Sequence, residues 1–180
     1  MIAKGGMGVS TKFITSLFLL LMGQLPLAVA ETEEPSVRQT QEQFQRWTVA
    51  CIEEKITVCE ARHAILAPNG GVQAQLSLSN RTDQPGQLLL QIALPLLADL
   101  KKEVVVKVGG QPLHPYHYSF CNQAACFIAE IADEEAITAF KKGIEFSVLS
   151  RSIQNGDQVM KGSLLGFSAA LNRLKSKVAP

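Results

Sequence analysis

From Trp47 onward the chain alternates apolar and polar residues with a period of two. In "WTVAC", Trp47, Val49 and Cys51 share one face; after "IEEK", the run "VCEARHAI" sets Cys59, Ala61, His63 and Ile65 against Glu60 and Arg62. Successive side chains of a strand point to opposite faces, so this period marks half-buried β-strands. "QAQLSLSN" repeats it, with Ala74, Leu76 and Leu78 opposing Gln75, Ser77 and Ser79. "QLLLQIAL" and "EVVVKV" are apolar enough for central strands. "PNGG", "TDQPG" and "GGQP" are turn chemistry, and Asn155-Gly156 marks a hairpin between "IEFSVLSRS" and "VMKGSLLG". "HPYHYSFC" and "CFIAEIA" read as a hairpin around "NQAA". About nine short strands follow, which predicts a mainly β chain folded as an antiparallel β-sandwich.

The period changes twice. Asp133 is placed to cap "EEAITAFKK", with Glu134 and Glu135 in the first turn, Lys141 and Lys142 in the last, and Gly143 where a left-handed C-terminal residue is wanted. This predicts a helix over about 133–143 with Ile137 and Phe140 facing the sheet. A second short amphipathic helix is predicted over about 167–175, in "SAALNRLK" and the phenylalanine before it.

Before Phe44 the texture differs. "MIAKGGMGVSTK" is basic, "FITSLFLLLMG" is apolar, and Ala28-Val29-Ala30 is a small-x-small cleavage site, so residues 1–30 read as a signal peptide. The apolar stretch is broken by Gln24 and Pro26 and is shorter than the ~20 residues a spanning helix needs. Residues 31–43, "ETEEPSVRQTQEQ", are polar without periodicity and read as a flexible N-terminal arm. The sandwich domain is then 44–180. Cleavage would remove Lys4 and Lys12, leaving 15 basic residues against 16 acidic ones, with no block of like charge. Composition thus gives no support to nucleic-acid binding or to electrostatic membrane attachment. The expected location is outside the cytoplasm.

Export changes the meaning of the four cysteines. An even count in an oxidising compartment reads as disulfides. Four cysteines allow three connectivities, between which sequence alone does not choose. Local geometry favours Cys51–Cys59 with Cys121–Cys126, because each pair flanks a short turn. Each would stabilise by roughly 2–2.5 kcal/mol in the chain-entropy model. Cys121 and Cys126 lie on the more polar strand faces, so exposure would make theirs the more labile bond.

Neither cysteine spacing is the Cys-x-x-Cys of a redox couple. A zinc site from Cys121, Cys126, His114 and His117 has suitable spacing in part, but alternation puts His114 on the face opposite Cys121. His63, on an apolar face, reads as a hydrogen-bonded core histidine, and Ser163 as strand-end packing. Glu53-Glu54 and Glu134-Glu135 are solvated pairs rather than catalytic acids. No catalytic residue, cofactor or metal is expected.

The order of motifs resembles one family. Trp47-x-Val49-x-Cys51 with Cys59, "LPLLADL", "FCNQAAC" and "GSLLGFSAAL" are similar to the invasion-associated locus B family over about residues 44–174. Leu97 and Ala98 depart from the glycine and valine that commonly follow Leu-Pro-Leu there. The resemblance implies an exported protein of a Gram-negative bacterium, in the periplasm, at the cell surface or in the medium, linked to entry into host cells, with an unidentified protein or host-surface partner and no catalytic residues to transfer. It implies scaffold roles for Trp47 beside the first disulfide, Pro95 at a strand end and Gly166-Phe167 at a helix start. The alternative is a periplasmic protein that supports envelope integrity or assembly without host contact.

Overall fold

A computed structural model of the chain describes residues 37–177. The expected signal peptide over 1–30, and residues 31–36 of the expected arm, lie outside the described residues. Eleven strands and two helices follow in chain order. They are β1 (Arg38–Phe44), β2 (Trp47–Glu53), β3 (Thr57–Leu66), β4 (Val72–Asn80), β5 (Leu88–Leu94), β6 (Val104–Val108) and β7 (Gln111–Tyr116). Next come β8 (Phe120–Cys121), β9 (Cys126–Ile131), α1 (Glu134–Lys142), β10 (Glu145–Ser152), β11 (Gly156–Ser163) and α2 (Phe167–Ser176). The strands form a seven-stranded sheet, β1-β2-β3-β4-β5-β9-β8, and a four-stranded sheet, β11-β10-β6-β7. Every pairing is antiparallel.

The alternation decides which side chains are inside. Val49, Ala61, Leu76, Leu78, Leu90, Ile92 and Ile128 of the larger sheet are buried, as are Val104, Val106, Phe146, Val148 and Met160 of the smaller. Helix α2 adds Phe167, Ala170, Leu171 and Leu174 to the same core, and α1 adds Ile137 and Phe140. Burying each large side chain contributes about 1.5–3 kcal/mol. Asp133 caps α1 as expected, its Oδ1 accepting the Ala136 N–H at 2.6 Å.

Three expectations are corrected. Residues 38–43 are not part of a flexible arm; they belong to β1, which pairs with β2 from Arg38↔Glu53 to Phe44↔Trp47. The inward positions of β1, Thr40 and Glu42, are polar, so period two is invisible in hydropathy; Glu42 is held by Arg173 of α2. The hairpin around "NQAA" is also shorter than expected. Gln111–Tyr116 pairs with β6 in the smaller sheet, and the chain crosses to the larger one before Phe120. Gly143, finally, is extended at φ −78° rather than left-handed. It is a glycine for lack of room: a Cβ there would collide with the Val108 side chain and lie 2.7 Å from Leu164 Cδ1.

The cysteines pair locally. Cys51 faces Cys59 across β2–β3, and Cys121 faces Cys126 across β8–β9. Both pairs are bonded, with Cα atoms 4.1 and 4.0 Å apart. Direct opposition in an antiparallel ladder brings Cα atoms to about this distance without moving the backbone.

Candidate functional site

A part-buried polar cluster joins the two sheets. His63 of β3 is buried, its Nδ1 lies 2.7 Å from the Arg46 carbonyl oxygen, and its Nε2 accepts the Ser163 N–H at 3.0 Å. Trp47 Nε1–H donates to the Ser163 carbonyl at 3.0 Å, and the Ser163 hydroxyl accepts the Leu165 N–H. Trp47 stacks on His63 and meets Phe167 edge-on at 5.0 Å. Ser163 thus has both backbone groups bound to side chains of the opposite sheet, and its hydroxyl is spent on its own loop. A neutral imidazole with the proton on Nδ1 satisfies every bond His63 makes. Burial holds its pKa below the ordinary histidine value; the Arg46 carbonyl acts in the opposite direction. This is a structural knot with no free nucleophile.

The flanking glycines explain the rest of "GSLLGF". A Cβ on Gly162 would enter the Phe146 ring, and Gly166, at φ +92°, passes directly over the Phe44 carbonyl. Both the left-handed backbone and the close approach demand glycine there.

The remaining ionisable candidates are dispersed. His114 Nδ1 is 3.1 Å from Asp133 and Nε2 3.4 Å from Glu130, so both ring nitrogens face carboxylates. His117 is exposed, 3.9 Å from Glu103. Both cysteines proposed as zinc donors are in a disulfide. Among the described residues, no three His, Cys, Asp or Glu side chains gather as a metal site would require. Glu53 is bound by Lys177 at 2.6 Å and Glu42 by Arg173, hydrogen bonds that lower both carboxyl pKa values, the reverse of what a general acid needs. Glu134 and Glu135 sit in the first turn of α1, at the positive end of the helix dipole.

One surface is built differently. A concavity of about 600 Å³ opens at the end of the larger sheet where β4 begins and β5 stops. Its walls include Val72, Ala74, Leu94, Leu96, Ala125 and Phe127 with Gln73 and Gln75 on the β4 side, and it contains no ionisable residue. Phe120, 49 % exposed, stacks on Phe127 at 4.9 Å and extends the apolar surface. The Cys121–Cys126 bond pins the adjoining turn, where Asn122 Oδ1 accepts the N–H groups of Ala124 and Ala125. Nearby Leu97 holds φ +66°, uncommon for a leucine, with its side chain half exposed. In the sequence this cysteine pair reads as a staple. The available signal was the phenylalanine beside each segment, Phe120 and Phe127, which alternation sends outward from a buried Cys126.

The family model of the invasion associated locus B protein matches residues 47–175. The chain belongs to the invasion associated locus B family. Two relatives from Brucella abortus, strains 2308 and 9-941, each named an invasion protein B homolog, are 28 % identical to it over 138 residues. Each alignment spans 76 % of this chain and 79 % of the relative. The crystal structure of invasion associated protein B from Bartonella henselae superposes with a TM-score of 0.65 at 22 % identity, covering 76 % of this chain and 96 % of that one. At that identity the likeness speaks for the fold. Trp47 and Gly166-Phe167, which carried the resemblance in sequence, lie in the knot between the sheets, whereas the first disulfide, expected beside Trp47, sits four residues further along β2 and β3.

Proposed function

We propose that the chain is exported and acts by binding rather than catalysis, contributing to contact between the bacterium and a host cell. Its partner on this reading is a protein presenting aliphatic side chains. The observation that carries binding is the apolar concavity beside Phe120, whose uncharged walls are held by a disulfide and an asparagine-capped turn. Contiguous exposed apolar surface of this kind marks an interaction site. Export rests on the signal-peptide pattern over 1–30 and on the two disulfides, which persist in oxidising compartments. The host-facing role rests on family membership and on relatives that are named for invasion.

The test is protease accessibility in intact cells, with a periplasmic protein as control and the culture medium assayed in parallel. Digestion, or recovery from the medium, supports a role at the host interface. Protection until the outer membrane is broken sinks it and favours the envelope-support alternative. A Phe120→Asp variant then addresses the surface: it should keep native Trp47 fluorescence and lose host-cell entry relative to the unaltered strain.

A further inference from the structure

Each of the two sheets ends in two edge strands, and the four edges are treated unequally. β7 carries Pro112 and Pro115, which cannot donate to a further strand. β8 is two residues long, and beyond it the Ser119 hydroxyl accepts the Ala129 N–H at 2.9 Å, occupying the backbone of β9. Among the described residues β11 is engaged only at its end, where the N–H and carbonyl of Ser163 are taken by His63 and Trp47. β1 has none of these devices. It runs seven residues without proline, and among the described residues no strand pairs with its outer side. An edge of this length is a template for another strand.

The side chains of β1 say which strand. "RQTQE", Arg38 to Glu42, is charge-complementary to itself when reversed about Thr40. We propose that two copies of this chain pair through β1, antiparallel about a two-fold axis at Thr40, joining their larger sheets into one. Arg38 then faces Glu42 of the second copy, Gln39 faces its Gln41, and Thr40 meets Thr40. Such an interface is isologous and closes as a dimer. The backbone fits the same register. The two-residue connection through Gln45 and Arg46 makes Phe44 and Trp47 a hydrogen-bonded pair, so Val37, Gln39, Gln41 and Gln43 direct their N–H and carbonyl groups outward. Pairing about Thr40 matches outward groups with outward groups and exchanges about eight hydrogen bonds. Arg38 is exposed, and among the described residues it forms no ion pair, so its charge is available for a second copy, where it would join the Arg173 that already holds Glu42.

Sedimentation velocity of the exported chain, from about 1 to 200 µM, tests the pairing over the range where weak dimers dissociate. A monomer–dimer equilibrium is expected. Arg38→Glu should weaken it at least tenfold at low salt and less at high salt. Gln41→Pro should abolish it while sparing β1–β2, because that N–H points outward. Thr40→Cys should give a disulfide-linked dimer on oxidation, whereas Val159→Cys, at the centre of β11, should not. Native Trp47 fluorescence in each variant separates lost pairing from lost folding. A chain that stays monomeric at 200 µM overturns the proposal. So does a dimer indifferent to Gln41→Pro, one that links through Val159→Cys, or a Thr40→Cys chain that crosslinks in cells only to a different protein.

Discussion

His63 shows how a single ring can make a fold pH-sensitive. Burial disfavours the charged ring and holds its pKa below the ordinary value, and protonating Nε2 would also turn the acceptor of the Ser163 N–H into a donor aimed at it. The unfolded chain binds this proton from about pH 6.5 downward. The stability contributed by neutral His63 is therefore complete above about pH 6.5 and is lost as pH falls from there to the folded pKa, at no more than ~1.4 kcal/mol per pH unit. Urea denaturation at a series of pH values checks this. His63→Gln should flatten the acidic limb relative to the unaltered protein while costing roughly 1–3 kcal/mol at neutral pH, since the part-buried Ser163 N–H and Arg46 carbonyl lose their partner. Gly166→Ala fails for a different reason. It forces a side chain into left-handed backbone and against the Phe44 carbonyl, so a loss of about 3 kcal/mol or more is expected in the same assay. The core position of His63 was legible from its place on an apolar face. Its partner was not, because Ser163 is 100 residues away and offers a backbone group that any residue would possess.

At the scale of elements, the two disulfides differ in what surrounds them. Cys51 and Cys59 are both buried, in register, and part of the main core. Cys126 is buried but Cys121 is exposed, at the rim of the apolar concavity. Mild reductant followed by alkylation should therefore label Cys121 and Cys126 first. Replacing that pair by alanine should cost about 2 kcal/mol, the loop-closure term. The 51–59 pair should cost more, roughly 3–5 kcal/mol, because buried sulfur contacts vanish with the bond. Thermal unfolding of the two double variants decides the order, and equal losses would mean that burial adds nothing. The boundaries of the elements show what local pattern can carry. β2, β3 and β4 were visible because their inward residues are apolar, and α1 because its cap and terminal charges are local signals. β1 was not, since polar residues line its inner face and its fixing contacts come from α2, some 130 residues later. The split of 111–121 between two sheets was hidden for a related reason: a continuous β-prone run does not record where the chain changes partner.

Across the whole molecule, the knot at Trp47 and His63 determines whether the sheets can come apart. The larger sheet contributes Trp47 and His63, the smaller contributes Ser163 and Phe146, and α2 closes over them with Phe167. Neither sheet has a second core of its own, because the buried residues of both sheets and both helices form one cluster. Strand order adds a topological link, since β9 returns to β5 only after β6 and β7 have been laid down in the other sheet. Separation of the sheets would expose a full apolar face on each, so a half-unfolded state has little to hold it. One cooperative transition is therefore expected. Trp47, the single tryptophan, is wholly buried between His63 and Phe167, so its fluorescence reports on the junction, while far-UV circular dichroism reports on strands throughout. The two signals should trace the same urea curve with the same midpoint. Were fluorescence to change at lower urea than dichroism, the junction would open before the sheets melt. The smaller sheet would then be a separable layer, and the bonds from Trp47 and His63 to Ser163 would not be what holds the two sheets together.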